Sequence, residues 1–237
     1  MYKNYIFDLY GTLIDIRTDE WSDKVWDEYA QWLTERGMKY TGAEVHTLYD
    51  TMVKKLESEP TNFKVREIDI LPVFEEICRR KKPNATNEEI WAAGENFRII
   101  STRLIQLYPN TKKVLESLKA AGKNVYLLSN AQRVFTWQEL EGTGIKGYFD
   151  DIFISSDHGC KKPDIEFYKA LIAKHNLKVE ESVMIGNDST TDIAGATALG
   201  MDGLYVKTAI SPENDPLPDC KYAFSDGDIG HVMDIIK

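Results

Sequence analysis

The sequence of 237 residues has few cysteines and no long apolar run. The three cysteines, Cys78, Cys160 and Cys220, are far apart and odd in number, which favours reduced thiols over a disulfide framework or a zinc site. No apolar run approaches the roughly 20 residues that span a bilayer. The N-terminus lacks the basic and then apolar layout of a signal peptide. We therefore expect a cytoplasmic protein with no membrane partner.

Positive charge is also scarce. Lysine and arginine number 29 against 38 acidic residues, a formal net charge of −9. General binding to nucleic acid requires a basic surface, so a nucleic-acid partner is not expected. A local positive site on an acidic protein can still bind a small anionic metabolite.

The first half of the chain is predicted to be a helical unit. Apolar residues recur at helical spacing over residues 20–36, 41–56, 68–77 and 87–107. The second of these segments begins with Thr41 and Glu44, the spacing of a capping box. The aromatic stripes of these helices are expected to form a hydrophobic core.

The second half alternates strands and helices. The predicted strands are 5–9, 125–128, 151–155, 183–186 and 204–206, and the predicted helices are 111–121, one from about 131, 164–175 and 191–199. Residues 211–218 are predicted to form a loop. The alternation predicts an α/β fold, with a Rossmann-like parallel sheet and helices on both faces. The first strand must join that sheet, so residues 1–16 and 107–237 form the predicted core and residues 17–106 an inserted helical-bundle cap.

Polar side chains follow four of these segments in a defined order. Residues 5–13 (YIFDLYGTL) place Asp8 at a strand end, and residues 124–130 (NVYLLSN) place Ser129 at another. Residues 159–164 (GCKKPD) supply Lys162, and residues 183–192 (VMIGNDSTTD) end in two acids. Ligands bind at the carboxyl ends of parallel strands, and a carboxylate there can act as a nucleophile. We therefore expect one site built from the four segments.

An acid, a hydroxyl, a lysine and an acidic pair in this order resemble the four motifs of the haloacid dehalogenase superfamily. The resemblance runs from Tyr5 to about Met201 and is closest to subfamily I, whose members carry an α-helical cap of the C1 type. It implies that Asp8 attacks phosphorus or a halogenated carbon, and that water then hydrolyses the intermediate.

The resemblance also implies how the transferred group is bound. Thr12 and the backbone around Gly11 would form a nest for its oxygens, and Ser129 and Asn130 would bind it from the second strand. Lys162 would offset the negative charge of nucleophile and phosphate. We favour Lys162 over the neighbouring Lys161, because the superfamily pattern has the catalytic lysine directly before Pro-Asp.

A magnesium site is implied by the acids of the same motifs. Asp8, Asp188 and Asp192, with the backbone carbonyl of Tyr10, provide the hard oxygen ligands that Mg²⁺ prefers. Asn187 is an alternative to Asp188 as the direct ligand, because some members of the family have the acid directly after this glycine.

Tyr10 departs from the phosphatase pattern. Phosphatases of the superfamily usually have a second aspartate two residues after the nucleophile, which acts as general acid and base. A phenol with a pKa near about 10 is a poor base at neutral pH. The Asp-x-Tyr-Gly-Thr form is similar to 2-haloacid dehalogenases, which use no metal, although their early cap arginine has only an insecure counterpart in Arg36. Asp188 beside an anionic nucleophile favours the metal-dependent reaction.

The sequence thus predicts a Mg²⁺-dependent phosphatase of a small phosphorylated metabolite, acting through an aspartyl-phosphate on Asp8. The alternatives are a metal-independent hydrolase of the 2-haloacid type and a weakly active binding or regulatory protein. Charged residues at the entrance to the cap are candidates for substrate recognition, although each is more simply a solvated charge. They are Asp15, Arg17, Asp19, Glu20 and Arg66, of which Arg17 is the first choice because it lies in the linker into the cap.

Overall fold

The computed structural model describes residues 1–213 and 217–236. Its strands are β1 (Asn4–Phe7), β2 (Ile14–Thr18), β3 (Thr102–Leu107), β4 (Asn124–Ser129), β5 (Asp151–Ile154), β6 (Ser182–Gly186), β7 (Asp202–Val206) and β8 (Tyr222–Phe224). Its α-helices are α1 (Asp23–Glu35), α2 (Gly42–Ser58), α3 (Leu71–Lys81), α4 (Asn87–Ser101), α5 (Thr111–Ala120), α6 (Arg133–Thr143), α7 (Ile165–His175) and α8 (Ala194–Ala198). Short 3₁₀ helices cover Lys146–Tyr148, Ser155–Asp157, Val179–Glu181 and Ile229–Ile235, and a π-helical turn covers Ser189–Ile193.

A parallel sheet is the centre of the fold. Six strands of the described residues form it, in the order β5-β4-β1-β6-β7-β8. Every residue of β1 is buried, as expected for a central parallel strand covered on both faces. Tyr5 and Phe7 pack on one face with residues of α5, and Ile6 packs on the other with residues of α7. The predicted α/β class, with a Rossmann-like sheet between helices, is confirmed.

The order of the strands reverses beside β1. The chain moves outward from β1 to β4 and β5, and then returns to the other side of β1 with β6. Such a switch point leaves a crevice at the carboxyl ends of the two neighbouring strands, where ligands bind in open α/β sheets. Asp8 directly follows β1, and its N–H donates to the carbonyl of Ile185 in β6 at 2.9 Å. The nucleophile candidate therefore lies at the crevice.

The helices α1 to α4, here called the helical insert, lie in sequence between β2 and β3. Their core contains a cluster of aromatic rings that includes Trp26, Tyr29, Phe74 and Phe97. The predicted capping box at the start of α2 is formed. Phe135 of α6 packs into the same core, so α6 belongs to the packing of both the insert and the sheet. No helix within the described ranges is long and apolar enough to cross a bilayer.

The ribbon of β2 and β3 corrects one sequence prediction. The helix predicted for 87–107 ends at Ser101, because the following residues pair antiparallel with β2, for which no element was predicted. Strand pairing depends on a partner distant in sequence, which helical periodicity cannot reveal. The predicted division of the chain at 16/17 and 106/107 lies in this ribbon and stays a prediction.

Two other sequence assignments differ or lie outside the described residues. The short edge strand β8 was missed; it extends the sheet beyond β7, which was predicted to be its last strand. Within the predicted loop 211–218, residues 214–216 lie outside the described residues.

A second connection joins the helical insert to the sheet, next to the lysine motif. The backbone N–H groups of Lys64 and Val65 donate to Asp164 Oδ2 at 2.8 and 3.1 Å. The N–H of Glu67 donates to the carbonyl of Gly159 at 3.0 Å, and that of Lys161 to the carbonyl of Val65 at 3.1 Å. The loop between α2 and α3 therefore holds the segment that carries Lys162.

Candidate active site

The loop after β1 presents Asp8 and Thr12 to the crevice. The Thr12 hydroxyl lies 3.3 Å from Asp8 Oδ2 and 3.2 Å from Asn187 Oδ1. Gly11 has a φ of +88°, which favours glycine, and a Cβ there would lie 2.3 Å from the Asn187 side chain. Glycine at this position thus allows the loop and the Asn187 side chain to approach each other closely.

Lys162 is the central charge of the site. Its side chain is 1% exposed, and Nζ donates to Asp8 Oδ1 and to Asp192 Oδ1, each at 2.7 Å. The Asn130 side chain bonds the backbone of Lys162 at both its N–H and its carbonyl, at 2.8 and 3.0 Å. Asn130 was predicted to bind the transferred group, which stays a prediction; in this structure it positions the lysine.

The acidic turn after β6 contributes two carboxylates with different surroundings. Asp192 is 1% exposed, and its Oδ2 accepts from the N–H of Asp188 at 3.1 Å. A Cβ on Gly186 would lie 2.2 Å from that carboxylate, so glycine is needed there. Asp188 caps the π-helical turn, and its Oδ1 accepts from the N–H of Thr190 at 2.8 Å. Turns of this kind are frequent at functional sites.

The three buried charges affect one another. Burial alone lowers the pKa of Lys162, but the charges of Asp192 and Asp8 outweigh burial and raise that pKa above its usual value. Burial raises the pKa of Asp192, against the lowering effect of Lys162. The lysine therefore stays charged, and it reduces the repulsion between the two carboxylates.

Ser129 has a free hydroxyl at the end of β4. The residue is fully buried, and its Oγ has no hydrogen-bond partner among residues 1–213 and 217–236. Buried hydroxyls are rarely left without a partner, so such an atom calls for an explanation. The predicted role of Ser129 in binding the transferred group stays a prediction.

These side chains surround a cleft of about 240 Å³. It is lined by Asp8, Tyr10, Asn130, Lys162, Asn187, Asp188, Thr191, Asp192, Ile210 and Pro212. The predicted site residues Asp8, Tyr10, Asn130, Lys162, Asp188 and Asp192 thus line one cleft, whereas Gly11, Thr12 and Ser129 do not line it. Ile210 and Pro212 were not predicted, because their loop carries no motif and reaches the cleft only through the fold.

The Tyr10 hydroxyl bonds side chains of helix α6. The hydroxyl donates to Glu139 of α6, and Glu139 Oε1 accepts from Arg98 Nε of α4 at 2.6 Å. Arg98 also pairs with Glu20 at 2.8 Å. Burial, and then the charge of Glu139, raise the pKa of Tyr10 against the lowering effect of Arg98. Tyr10 therefore stays a neutral phenol that connects the loop after β1 to the helical insert.

Glu139 and Arg98 were missed by the sequence analysis. Both are buried, at 7% and 9% exposed. A charged residue on the apolar face of a helix is a sequence signal for such a pair, since acids and arginines are almost never buried without a partner. The signal indicates burial, but it does not identify the partner.

The recognition candidates at the insert entrance do not line the cleft. Glu20 binds Arg98, Asp19 binds Arg103, and the buried Asp15 accepts from Gln106 at 3.2 Å. Arg17, the first choice, is exposed on β2, and Arg66 donates to the carbonyl of Glu57 at the end of α2. These side-chain contacts lie within the ribbon and the insert.

The oxygen donors in the cleft fit a magnesium ion. Among the described residues, no three acidic, histidine or cysteine side chains are arranged to hold a metal ion by themselves. Both oxygens of Asp192 are bonded, to Lys162 and to the N–H of Asp188. Mg²⁺ needs only one or two carboxylates when water and a substrate phosphate supply the remaining ligands. Asp8 and Asp188 meet that requirement, so the chemistry of the donor set fits.

Comparison with known proteins agrees with this geometry. Residues 2–200 match the family model of the haloacid dehalogenase-like hydrolases. The chain therefore belongs to the haloacid dehalogenase-like hydrolase family, as the order of its motifs predicted.

Individual relatives are more distant. The chain is 31% identical over 115 residues to a glyceraldehyde 3-phosphate phosphatase of Methanothermobacter thermautotrophicus, covering 48% of this chain and 51% of that protein. It is 29% identical over 142 residues to one of Methanocaldococcus jannaschii, covering 60% and 61%. The chain thus matches about half to three fifths of these relatives' lengths. A Haemophilus somnus structure described as a "predicted phosphoglycolate phosphatase" shares the fold, with a TM-score of 0.61, 19% identity and coverage of 100% and 98%.

Lys162→Met is expected to destabilise the protein by about 3–5 kcal/mol, because it leaves two buried carboxylates without their shared cation. Lys161→Met is the matched control: its amine is 4.0 Å from Glu67 and its side chain is 40% exposed, so a change within about 0.5 kcal/mol is expected. Chemical denaturation measures both. Equal stability of the two variants would contradict the central position of Lys162.

Tyr10→Phe and Glu139→Gln are each expected to cost about 1–3 kcal/mol, because each leaves a buried polar partner unsatisfied. The double variant should cost less than the sum, with a coupling of about 0.5–3 kcal/mol. Glu141→Gln, an exposed position on the same helix, is the control. Strictly additive losses in a denaturation cycle would show that the two residues do not interact.

Proposed function

We propose that the protein is a Mg²⁺-dependent phosphomonoester hydrolase that acts through an aspartyl-phosphate on Asp8. The observation that carries the proposal is the buried Lys162, which contacts Asp8 and Asp192 at 2.7 Å in a cleft at the switch point of the sheet. Membership of the hydrolase family supports it, as do two relatives named glyceraldehyde 3-phosphate phosphatases. The substrate is accordingly a small phosphorylated metabolite.

The reaction takes place in two displacements at phosphorus. A carboxylate oxygen of Asp8 forms a bond to phosphorus, and the bond from phosphorus to the ester oxygen breaks with its electron pair on the leaving group. Water then attacks the same phosphorus and releases Asp8 as a carboxylate together with inorganic phosphate. Thr12 and Ser129 donate hydrogen bonds to the phosphoryl oxygens, and Lys162 offsets the charge that gathers in the transition state.

The metal would be held by Asp8, by the backbone carbonyl of Tyr10 and by Asp188. When bound, Mg²⁺ supplies charge neutralisation for the phosphoryl group and alignment with the nucleophile. Asn187 remains the alternative to Asp188, but its amide oxygen lies within reach of the Thr12 hydroxyl. Asp192, predicted as a ligand or near neighbour, positions Lys162 and the acidic turn.

Because position 10 is a tyrosine, the first displacement lacks the general acid that phosphatases of the superfamily usually have. The Tyr10 hydroxyl is bound to Glu139, and its pKa is raised by burial, so it neither donates nor accepts the proton of the reaction. The enzyme therefore depends on a leaving group that departs readily, or on water to protonate the alcohol.

The helical insert serves as the cap in this proposal, with the β2–β3 ribbon as its connection to residues 1–16 and 107–237. The loop between α2 and α3 and the Glu139–Arg98 pair hold it against the sheet. The cytoplasmic location stays a prediction.

A 2-haloacid dehalogenase is the second candidate, favoured by Tyr10 in the nucleophile motif. A 2-haloacid carries a carboxylate, which needs a cation at the site. Arg36, the nearest match to the dehalogenase arginine, instead donates to the carbonyl of Trp32 at 3.0 Å and does not line the cleft. This contact disfavours the second candidate.

Asp8→Asn is expected to lower phosphate release from p-nitrophenyl phosphate and acetyl phosphate by at least about a thousandfold, because the nucleophile is lost. Wild type should lose activity in EDTA and regain it with Mg²⁺. Asp15→Asn, an acid outside the cleft, is the control. Halide release from L-2-chloropropionate that survives EDTA would overturn the proposal in favour of the second candidate.

Tyr10→Asp is expected to restore an acid where phosphatases of the family have one. Compared with Tyr10→Asn, which has the same shape without the acid, kcat/KM for an alkyl phosphate should rise at least about tenfold. Acetyl phosphate, whose leaving group needs no proton, should show little difference between the two variants. An equal effect on both substrates would exclude the acid as the missing group.

A further inference from the structure

Among the residues that line the cleft, negative charges outnumber positive charges. Asp8, Asp188 and Asp192 contribute three carboxylates, and Lys162 is the only cation that lines it among the described residues. Lys162 already binds Asp8 and Asp192. Under the proposed function, a divalent cation would balance a phosphate dianion. No positive charge of the lining then remains for a second anionic group on the substrate.

The basic residues nearest in sequence to the motifs have other contacts. Lys161 lies 4.0 Å from Glu67, Arg133 binds Asp157, and Arg98 is held between Glu20 and Glu139. None of the three lines the cleft. Among the described residues that line the cleft, a substrate carboxylate would therefore meet carboxylates and no further cation, and such juxtaposition is strongly unfavourable in a partly buried site.

Part of the lining carries neither a charge nor an amide. It includes Ile210 and Pro212, which together are called the wall of the cleft. Their loop is fixed over the nucleophile: Thr208 Oγ1 donates to the carbonyl of Gly11 at 2.6 Å, and Asn187 Nδ2 donates to Ser211 Oγ at 3.3 Å. The wall is therefore a defined part of the site. It offers an apolar surface to the group that the phosphate leaves.

The size of the cleft limits that group. At about 240 Å³ it is smaller than the sites of drug-sized ligands, which begin near 300 Å³. A phosphoryl group occupies part of this volume. The remaining space suits a short chain with hydroxyl or aldehyde groups.

We propose that the substrate is a small phosphomonoester whose leaving group is uncharged, of the polyol or aldehyde type, and that Ile210 helps to exclude carboxylate-bearing and bisphosphorylated esters. The proposal rests on the phosphatase function. It goes beyond that function by naming the class of leaving group and a residue that selects it.

The test compares substrates that differ in one charge. Glyceraldehyde 3-phosphate and 3-phosphoglycerate have the same carbon chain, with an aldehyde in one and a carboxylate in the other. We expect kcat/KM to favour the aldehyde at least about tenfold, because the carboxylate meets like charges. Ile210→Arg places a cation in the wall and should move the ratio toward 3-phosphoglycerate at least about fivefold.

Ile210→Gln is the control for Ile210→Arg, because it introduces a polar side chain without a charge. Its ratio of kcat/KM for the two substrates should stay near the wild-type ratio, even if both rates change. A wild type that hydrolyses 3-phosphoglycerate as well as the aldehyde overturns the inference while the phosphatase function stands. An unchanged ratio in Ile210→Arg overturns the role of Ile210. Failure to hydrolyse these esters, p-nitrophenyl phosphate and acetyl phosphate overturns the function itself, and the inference with it.

Discussion

The rest of the site depends on the contact of the buried Lys162 amine with Asp8 and Asp192. The amine joins Asp8 and Asp192, which lie 154 and 30 residues away in sequence, and it allows two buried carboxylates to lie close together. Without the lysine, desolvation and mutual repulsion would oppose the arrangement. The surrounding structure serves this contact: Asn130 fixes the lysine backbone, and Gly186 gives Asp192 room. Under the proposed function, the reacting groups are therefore oriented before substrate binds, which is how electrostatic catalysis acquires its strength.

The second constraint joins the site to the helical insert. Tyr10 directs its hydroxyl to Glu139, and Glu139 is bound by Arg98 of α4. Phe135, one turn before Glu139 on α6, packs into the aromatic core of the insert. Position 10, where the family resemblance implies a second aspartate in phosphatases, here holds the loop after β1 to the insert. This structural use of Tyr10 accounts for its presence in the motif that carries Asp8, and under the proposed function it makes the leaving group more important.

The sequence was sufficient for the parts that are local. Asp8, Ser129 and Asp188 each lie at or just after the end of an apolar strand that the sequence predicts. The parallel sheet then brings the ends of these strands to the same edge. The β2–β3 ribbon could not be predicted, because its strands are separated by the whole helical insert. The partners of Tyr10 and the wall at Ile210 were likewise hidden, since they depend on which surfaces pack together.

The covalent intermediate on Asp8 is the central claim, and chemical trapping tests it most directly. The enzyme is mixed with acetyl phosphate and Mg²⁺, quenched in acid, reduced with borohydride and digested for mass spectrometry. The account predicts homoserine at position 8, formed by reduction of the aspartyl-phosphate, and none in Asp8→Asn or without substrate. Rapid phosphate release with unmodified aspartate at position 8 in every quenched sample would contradict it.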